Sequence, residues 1–95
     1  MPARTEEEAL IARCHAVATG RATSAINSVE ANVFRVASMI LGQRYRQEAR
    51  RLLSVGDAYF ATNLSEQVPP AEVIRQGWVF SLPRLRELLE ARLHS

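Results

Sequence analysis

Apolar residues recur along this chain mainly at intervals of three and four positions, which is the spacing of one face of an α-helix. An extended strand would place such residues on both of its faces, so the spacing predicts helices even where β-branched side chains are common. We expect the second helix to be capped by Thr23 or Ser24. Its stripe is the clearest in the chain and consists of Ile26, Val29, Val33, Val36 and Ile40.

Glycine, proline and hydroxyl residues mark the ends of four further predicted helices. Thr5 is the expected cap of the first helix and Ser81 that of the last, while Gly20 and Gly77 are expected to end helices. These four helices are predicted over residues 5–19, 43–64, 71–76 and 81–94. The fold class is therefore all-α: a small bundle of about three main helices, a short fourth and a C-terminal fifth, in a single domain over residues 1–95.

The stripe of the second helix is broad, because Phe34 and Ala37 lie beside Val33 and Val36. A chain of 95 residues has few elements with which to cover a broad apolar surface. Self-association, most simply as a two-fold homodimer, is the interpretation that this width favours.

Composition narrows the class of protein. A hydrophobic fraction of 47% is too high for a disordered chain, and a single cysteine, Cys14, cannot form an internal disulfide. No apolar run approaches the ~18 residues of a membrane span, and the acidic start of the chain does not resemble a signal peptide. We therefore expect a cytoplasmic protein with no membrane partner.

All twelve basic residues are arginine, and the net charge is +2. Arginine codons are rich in GC, so the simplest interpretation is a GC-rich bacterial genome. Selection against lysine modification in a foreign cell is an alternative. A third is a need for bidentate contacts to anions, which arginine makes and lysine does not.

An arginine cluster is the strongest candidate for a binding site. Its members Arg44, Arg46, Arg50 and Arg51 are interrupted only by the acidic residue Glu48, which leaves a local excess of three positive charges. Glu48 is placed to form surface ion pairs with Arg44 and Arg51. An ordinary solvated face at the start of a helix is the alternative interpretation of the cluster. Positive charge at a helix start opposes the helix dipole, and this adds some support for an anionic partner.

Trp78 is the second candidate for partner contact. It lies in segment 77–80, which we expect to form a turn that buries Trp78 or Phe80. An exposed tryptophan near arginines is typical of interface hot spots. The favoured function is a non-catalytic protein–protein interaction module of bacterial or phage origin, of adaptor, chaperone or inhibitor type. It would bind an acidic partner surface through Arg44, Arg46, Arg50, Arg51 and Trp78.

The alternative function is a small nucleic-acid-binding regulator that uses the C-terminal helix pair. The last helix would present Arg84 and Arg86, but Glu87 and Glu90 follow and oppose phosphate. Catalytic and metal chemistry have little support. Cys14 and His15 are neighbours that point about 100° apart on a helix and have no second pair to complete a metal site.

We therefore predict no metal and no cofactor, and we do not expect an enzyme. The remaining catalytic hypothesis is a shared dimer cleft around Asp57 and Tyr59. Asp57 is the only aspartate, and a solvent-facing helix residue is its more ordinary interpretation.

Overall fold

The computed structural model describes residues 4–66 and 70–94, and within these ranges it contains helices and no strand. This confirms the all-α class. The five α-helices are α1 Arg4–Ala18, α2 Ser28–Ile40, α3 Arg46–Thr62, α4 Pro70–Arg75 and α5 Leu82–His94. Short 3₁₀ turns at Gln43–Tyr45 and Leu64–Glu66 precede and follow α3.

Two glycines end helices as the sequence predicted. Gly20 and Gly77 both have positive φ, of 82° and 79°, which L-residues with a side chain rarely adopt. After α1, the amide of Arg21 donates to the carbonyl of Ala16 at 2.8 Å. After α4, the amide of Trp78 donates to the carbonyl of Val73 at 3.0 Å. Both ends are Schellman motifs, in which these bonds satisfy the last free carbonyls.

Of the predicted helix N-caps, one is confirmed and two are wrong. Ser81 caps α5 as predicted, since its Oγ accepts from the amide of Arg84 at 3.2 Å. The prediction for Thr5 is wrong, because α1 already begins at Arg4. The prediction of a cap at Thr23 or Ser24 is also wrong: Asn27 caps α2, and its Oδ1 accepts from the amide of Glu30 at 2.9 Å.

The late start of α2 has a local and a tertiary cause. Glu30 accepts from the amide of Ile26 at 3.2 Å, and Arg13 of α1 donates to the carbonyl of Ser24 at 3.0 Å. These bonds hold the segment before Asn27 in a non-helical path. Ile26 consequently lies outside the helix and is 72% exposed, so it does not belong to the buried stripe.

Helix α2 is the centre of the fold and contacts all four other helices. Its widest packing is against α3, where Gly56 allows a close approach of the two backbones. The broad stripe is buried within one chain: Val33, Phe34, Val36 and Ala37 are each at most 3% exposed. The reason given for expecting a dimer, that one chain could not cover this surface, is therefore removed.

Candidate partner-binding surface

The four arginines of the predicted cluster all lie at the surface, and we call them the arginine face. The inward side of α3 explains this placement. Leu52, Gly56 and Phe60 recur at intervals of four and are buried, which fixes the orientation of the helix. Arg46 and Arg50 then fall together on the outer side, with Arg51 beside them and Arg44 in the 3₁₀ turn that precedes α3. The arginine face consists of Arg44, Arg46, Arg50 and Arg51.

The predicted ion pairs of Glu48 with Arg44 and Arg51 are not formed among the residues that the structure describes. Arg51 instead donates to the carbonyl of Ala18 at 2.9 Å, where it caps the end of α1. A peptide carbonyl at a helix C-terminus carries partial negative charge and competes well for an exposed guanidinium. Arg51 thus has a structural role that its position in the cluster did not reveal.

The bond to a neutral carbonyl leaves Arg51 positively charged, and the other three arginines of the face are likewise not neutralised by a carboxylate in the described ranges. The guanidinium of Arg44 lies over the ring of Tyr45, 5.7 Å from its centroid. Within residues 4–66 and 70–94, Arg44, Arg46 and Arg50 form no ion pair with a carboxylate. They remain available to an anion that arrives from outside.

A groove of about 420 Å³ adjoins the arginine face. It runs between the end of α1, the segment that follows α1, and the outer side of α3. Arg50 and Arg51 line one side of it, and its floor is largely apolar. The remaining lining residues are Val17, Gly20, Ala22, Thr23, Ser54 and Val55.

The predicted turn over residues 77–80 is a bend between α4 and α5, and Val79 is its fully buried residue. Trp78 and Phe80 are partly buried and Trp78 packs against the core, so the expected burial of an aromatic residue in this turn is partial. Trp78 follows Gly77 in the Schellman motif, which directs its ring against the core. No described contact joins it to the arginine face, and its role in binding remains a prediction.

Two buried carboxylates are the residues that sequence reasoning missed. Glu7 is 1% exposed; it accepts from the amide of Phe80 at 2.9 Å and from Arg84 at 2.8 Å. Glu30 is also buried and accepts from Arg13 at 2.7 Å, and this bond raises the pKa of Arg13. A signal was present: each glutamate lies on the apolar stripe of its own helix, four residues before Ile11 or Phe34.

The C-terminal helix pair offers little free positive charge for nucleic acid. Arg84 is engaged by the buried Glu7, and Arg86 pairs with Glu90 at 3.3 Å. Arg75 pairs with Glu72, which lowers the pKa of that carboxyl. Arginines that already pair with a carboxylate attract phosphate less strongly, so these contacts add no support for the nucleic-acid alternative.

The residues considered for metal or catalytic chemistry have structural surroundings. Cys14 lies in the core, and burial raises the pKa of its thiol to about 12. The described residues contain no group of three or more potential ligands for a metal ion. Asp57 is exposed and pairs with Arg35 at 3.1 Å, and the ring of Tyr59 packs edge-on against Phe60.

No helix in the described ranges has the length and apolar character that a membrane crossing requires. Comparison of the chain with protein-family models, with curated proteins and with solved structures gives no match. The case for function therefore depends on the surface chemistry of the chain itself.

Proposed function

We propose that the chain is a non-catalytic protein-binding module of adaptor, chaperone or inhibitor type that docks on an acidic surface of a partner protein. Its contact surface is the arginine face. The all-arginine basic set is the reason to propose a bacterial or phage origin, since a GC-rich genome explains it most simply.

One contrast carries the proposal. Five arginines elsewhere in the described chain pair with carboxylates: Arg13, Arg35, Arg75, Arg84 and Arg86. Arg21 is an isolated exposed arginine without such a pair in the described ranges. Arg44, Arg46 and Arg50 lie within one short stretch, repel one another and have none in the described ranges. Such a concentration of like charge opposes folding and favours encounter with an acidic surface. Guanidinium groups also bind carboxylates in bidentate geometry, which gives orientation as well as attraction.

Trp78 is a secondary element of this proposal. Its half-buried ring packs on the core, so we expect Trp78→Ala to affect folding stability first and partner binding only through the fold. A loss of binding with unchanged stability would restore the interpretation of Trp78 as an interface anchor.

The test compares two variants with equal changes in net charge. In the first, Arg44, Arg46 and Arg50 are changed to glutamine; in the matched control, Arg75, Arg86 and Arg92 are changed instead. Tagged wild-type and variant proteins are incubated with a bacterial lysate, and proteins retained at physiological salt are identified. We expect the first variant to lose the retained protein and the control to keep it.

Thermal unfolding of both variants shows whether the fold is intact. Equal recovery by the two variants would contradict the proposal. Binding of labelled duplex DNA by the wild type, with loss in the control variant, would support the nucleic-acid alternative. Light scattering at tens of micromolar protein tests the homodimer, which stays a prediction now that the broad stripe no longer motivates it.

A further inference from the structure

The groove beside the arginine face combines an apolar floor with a positively charged rim. Val17, Ala22 and Val55 supply the apolar surface, and Arg50 and Arg51 supply the charge. The hydroxyl residues Thr23 and Ser54 also line it. Among the residues that the structure describes, no carboxylate lines this groove. A second groove, of about 540 Å³ between α2 and α5, is lined instead by charges of both signs: Arg86, Glu87 and Glu90.

The two arginines of the groove differ in a useful way. Arg51 is held in place by its bond to the carbonyl of Ala18, so little side-chain entropy is lost when it contacts a ligand. Arg50 has no carboxylate partner in the described chain and is open to the incoming group. A fixed guanidinium beside an adaptable one is suited to binding a carboxylate.

The end of α1 lies next to this groove, and a helix C-terminus repels anions. Here that repulsion is reduced, because the last carbonyls are already occupied. Ala16 accepts from the amides of Arg21 and Ala22, at 2.8 Å and 3.1 Å. Val17 accepts from Gly20 at 3.1 Å, and Ala18 accepts from Arg51. The guanidinium groups of Arg50 and Arg51 are the full charges among the described residues that line the groove.

We propose that this groove binds a short acidic–aliphatic segment of the partner protein. The carboxylate of an Asp or Glu side chain lies between Arg50 and Arg51, and a neighbouring aliphatic side chain covers Val17, Ala22 and Val55. Charge complementarity selects the acidic residue, and burial of the floor selects the aliphatic one. The inference rests on the proposed function and specifies which part of the arginine face reads the partner sequence.

The probe is a synthetic peptide that contains Asp-Leu between Gly-Ser flanks, with both ends blocked. Its matched controls contain Asn-Leu, which lacks the charge, and Asp-Ser, which lacks the apolar side chain. Peptides are titrated into ¹⁵N-labelled full chain, and amide shifts are followed by NMR. We expect the Asp-Leu peptide to shift the amides of Thr23, Ser54 and Val55, and each control to bind about tenfold more weakly.

Arginine variants test which positive charges bind the Asp-Leu peptide. Arg50→Gln is expected to weaken Asp-Leu binding about tenfold, whereas Arg75→Gln, which removes an equal charge far along the chain, is expected to change it less than about twofold. Equal loss in Arg46→Gln and Arg50→Gln would overturn the groove proposal and assign binding to diffuse charge. Equal binding of the Asp-Ser peptide, or equal shifts with inorganic phosphate, would also overturn it.

The experiments distinguish a failure of the groove inference from a failure of the proposed function. If the peptide does not shift the groove amides while the charge-neutralised face still loses the partner protein, the groove inference is wrong and the proposed function stands. If the peptide binds in the groove while the partner is recovered equally by both charge variants, the proposed function is wrong and the groove remains a binding site for acidic–aliphatic groups.

Discussion

The substitution Gly56→Ala, which replaces one hydrogen atom by a methyl group, tests the contact between α2 and α3. Gly56 is buried on the side of α3 that faces α2. A β-carbon at this position would lie 2.9 Å from the carbonyl oxygen of Ala31 and 2.5 Å from Cγ of Arg35. Moving Cγ of Arg35 disturbs its pair with Asp57 and its contact with the ring of Phe60, and the backbone oxygen of Ala31 moves only if the two helices separate.

Two free-energy terms of opposite sign decide the outcome. Alanine favours a helix interior by about 1 kcal/mol relative to glycine. Overpacking a well-packed contact costs about 1–3 kcal/mol, and here the upper part of that range applies because a backbone atom must move. We expect the free energy of unfolding to fall by about 1–2 kcal/mol. In a domain of this size each kcal/mol lowers Tm by about 4–8 °C.

Urea unfolding followed by circular dichroism measures this change, and two controls separate its parts. Ala58→Gly, at an exposed position of the same helix, measures the helix-propensity term alone. A double-mutant cycle of Gly56→Ala with Arg35→Ala isolates the contact with the arginine side chain. If Gly56→Ala raised stability by as much as Ala58→Gly lowers it, the close approach of α2 and α3 would be refuted.

Three further predictions concern buried polar groups. Glu7→Gln removes the charge partner of Arg84 but leaves an acceptor for the amide of Phe80. We expect the free energy of unfolding to fall by about 1–3 kcal/mol, toward the lower value because Arg84 is partly exposed. An unchanged midpoint of urea unfolding would contradict the pairing. Asn32 is buried and its Nδ2 has no hydrogen-bond partner among the described residues. Asn32→Leu should therefore raise the midpoint of urea unfolding, because it removes an unsatisfied buried group. A lower midpoint would show that the side-chain amide is hydrogen-bonded. Burial raises the pKa of Cys14 to about 12. The thiol therefore ionises first in the unfolded chain, so the free energy of unfolding should fall as pH rises past the ordinary thiol range. A thiol reagent that modified Cys14 in the native protein without unfolding it would contradict its burial.

Signals contained within a few residues were predictable from the sequence. Gly20, Gly77 and Ser81 end or cap helices through bonds to residues at most five positions away. Their effect depends on backbone conformation and on a nearby amide, so no knowledge of the tertiary fold is needed. The exposed arginine face was also predictable, because the helical period of α3 separates Arg46 and Arg50 from the buried Leu52.

Interactions between distant positions were not predictable in this way. Glu7 and Arg84 lie 77 positions apart, and Arg51 and Ala18 lie 33 apart. Sequence spacing instead indicated a local pair between Glu48 and Arg51, which a helix surface gains little by forming. The tertiary acceptor at the end of α1 was the better partner for Arg51, and only the packing of α1 against α3 brings it within reach.

The stripe of α2 has a different meaning in the folded chain from the one its width first indicated. Four helices cover it, so its breadth marks the central helix and gives no argument for a second copy. The large apolar side chains that stay exposed in the described ranges lie in four separate segments of the chain: Ile26, Met39, Leu53 and Leu64. Outside the apolar floor of the groove, a partner that binds the arginine face therefore gains its attraction mainly from arginine charge. Because exposed charges are screened over about 8–10 Å at physiological ionic strength, partner affinity should fall steeply with added salt, whereas an apolar interface would keep its affinity.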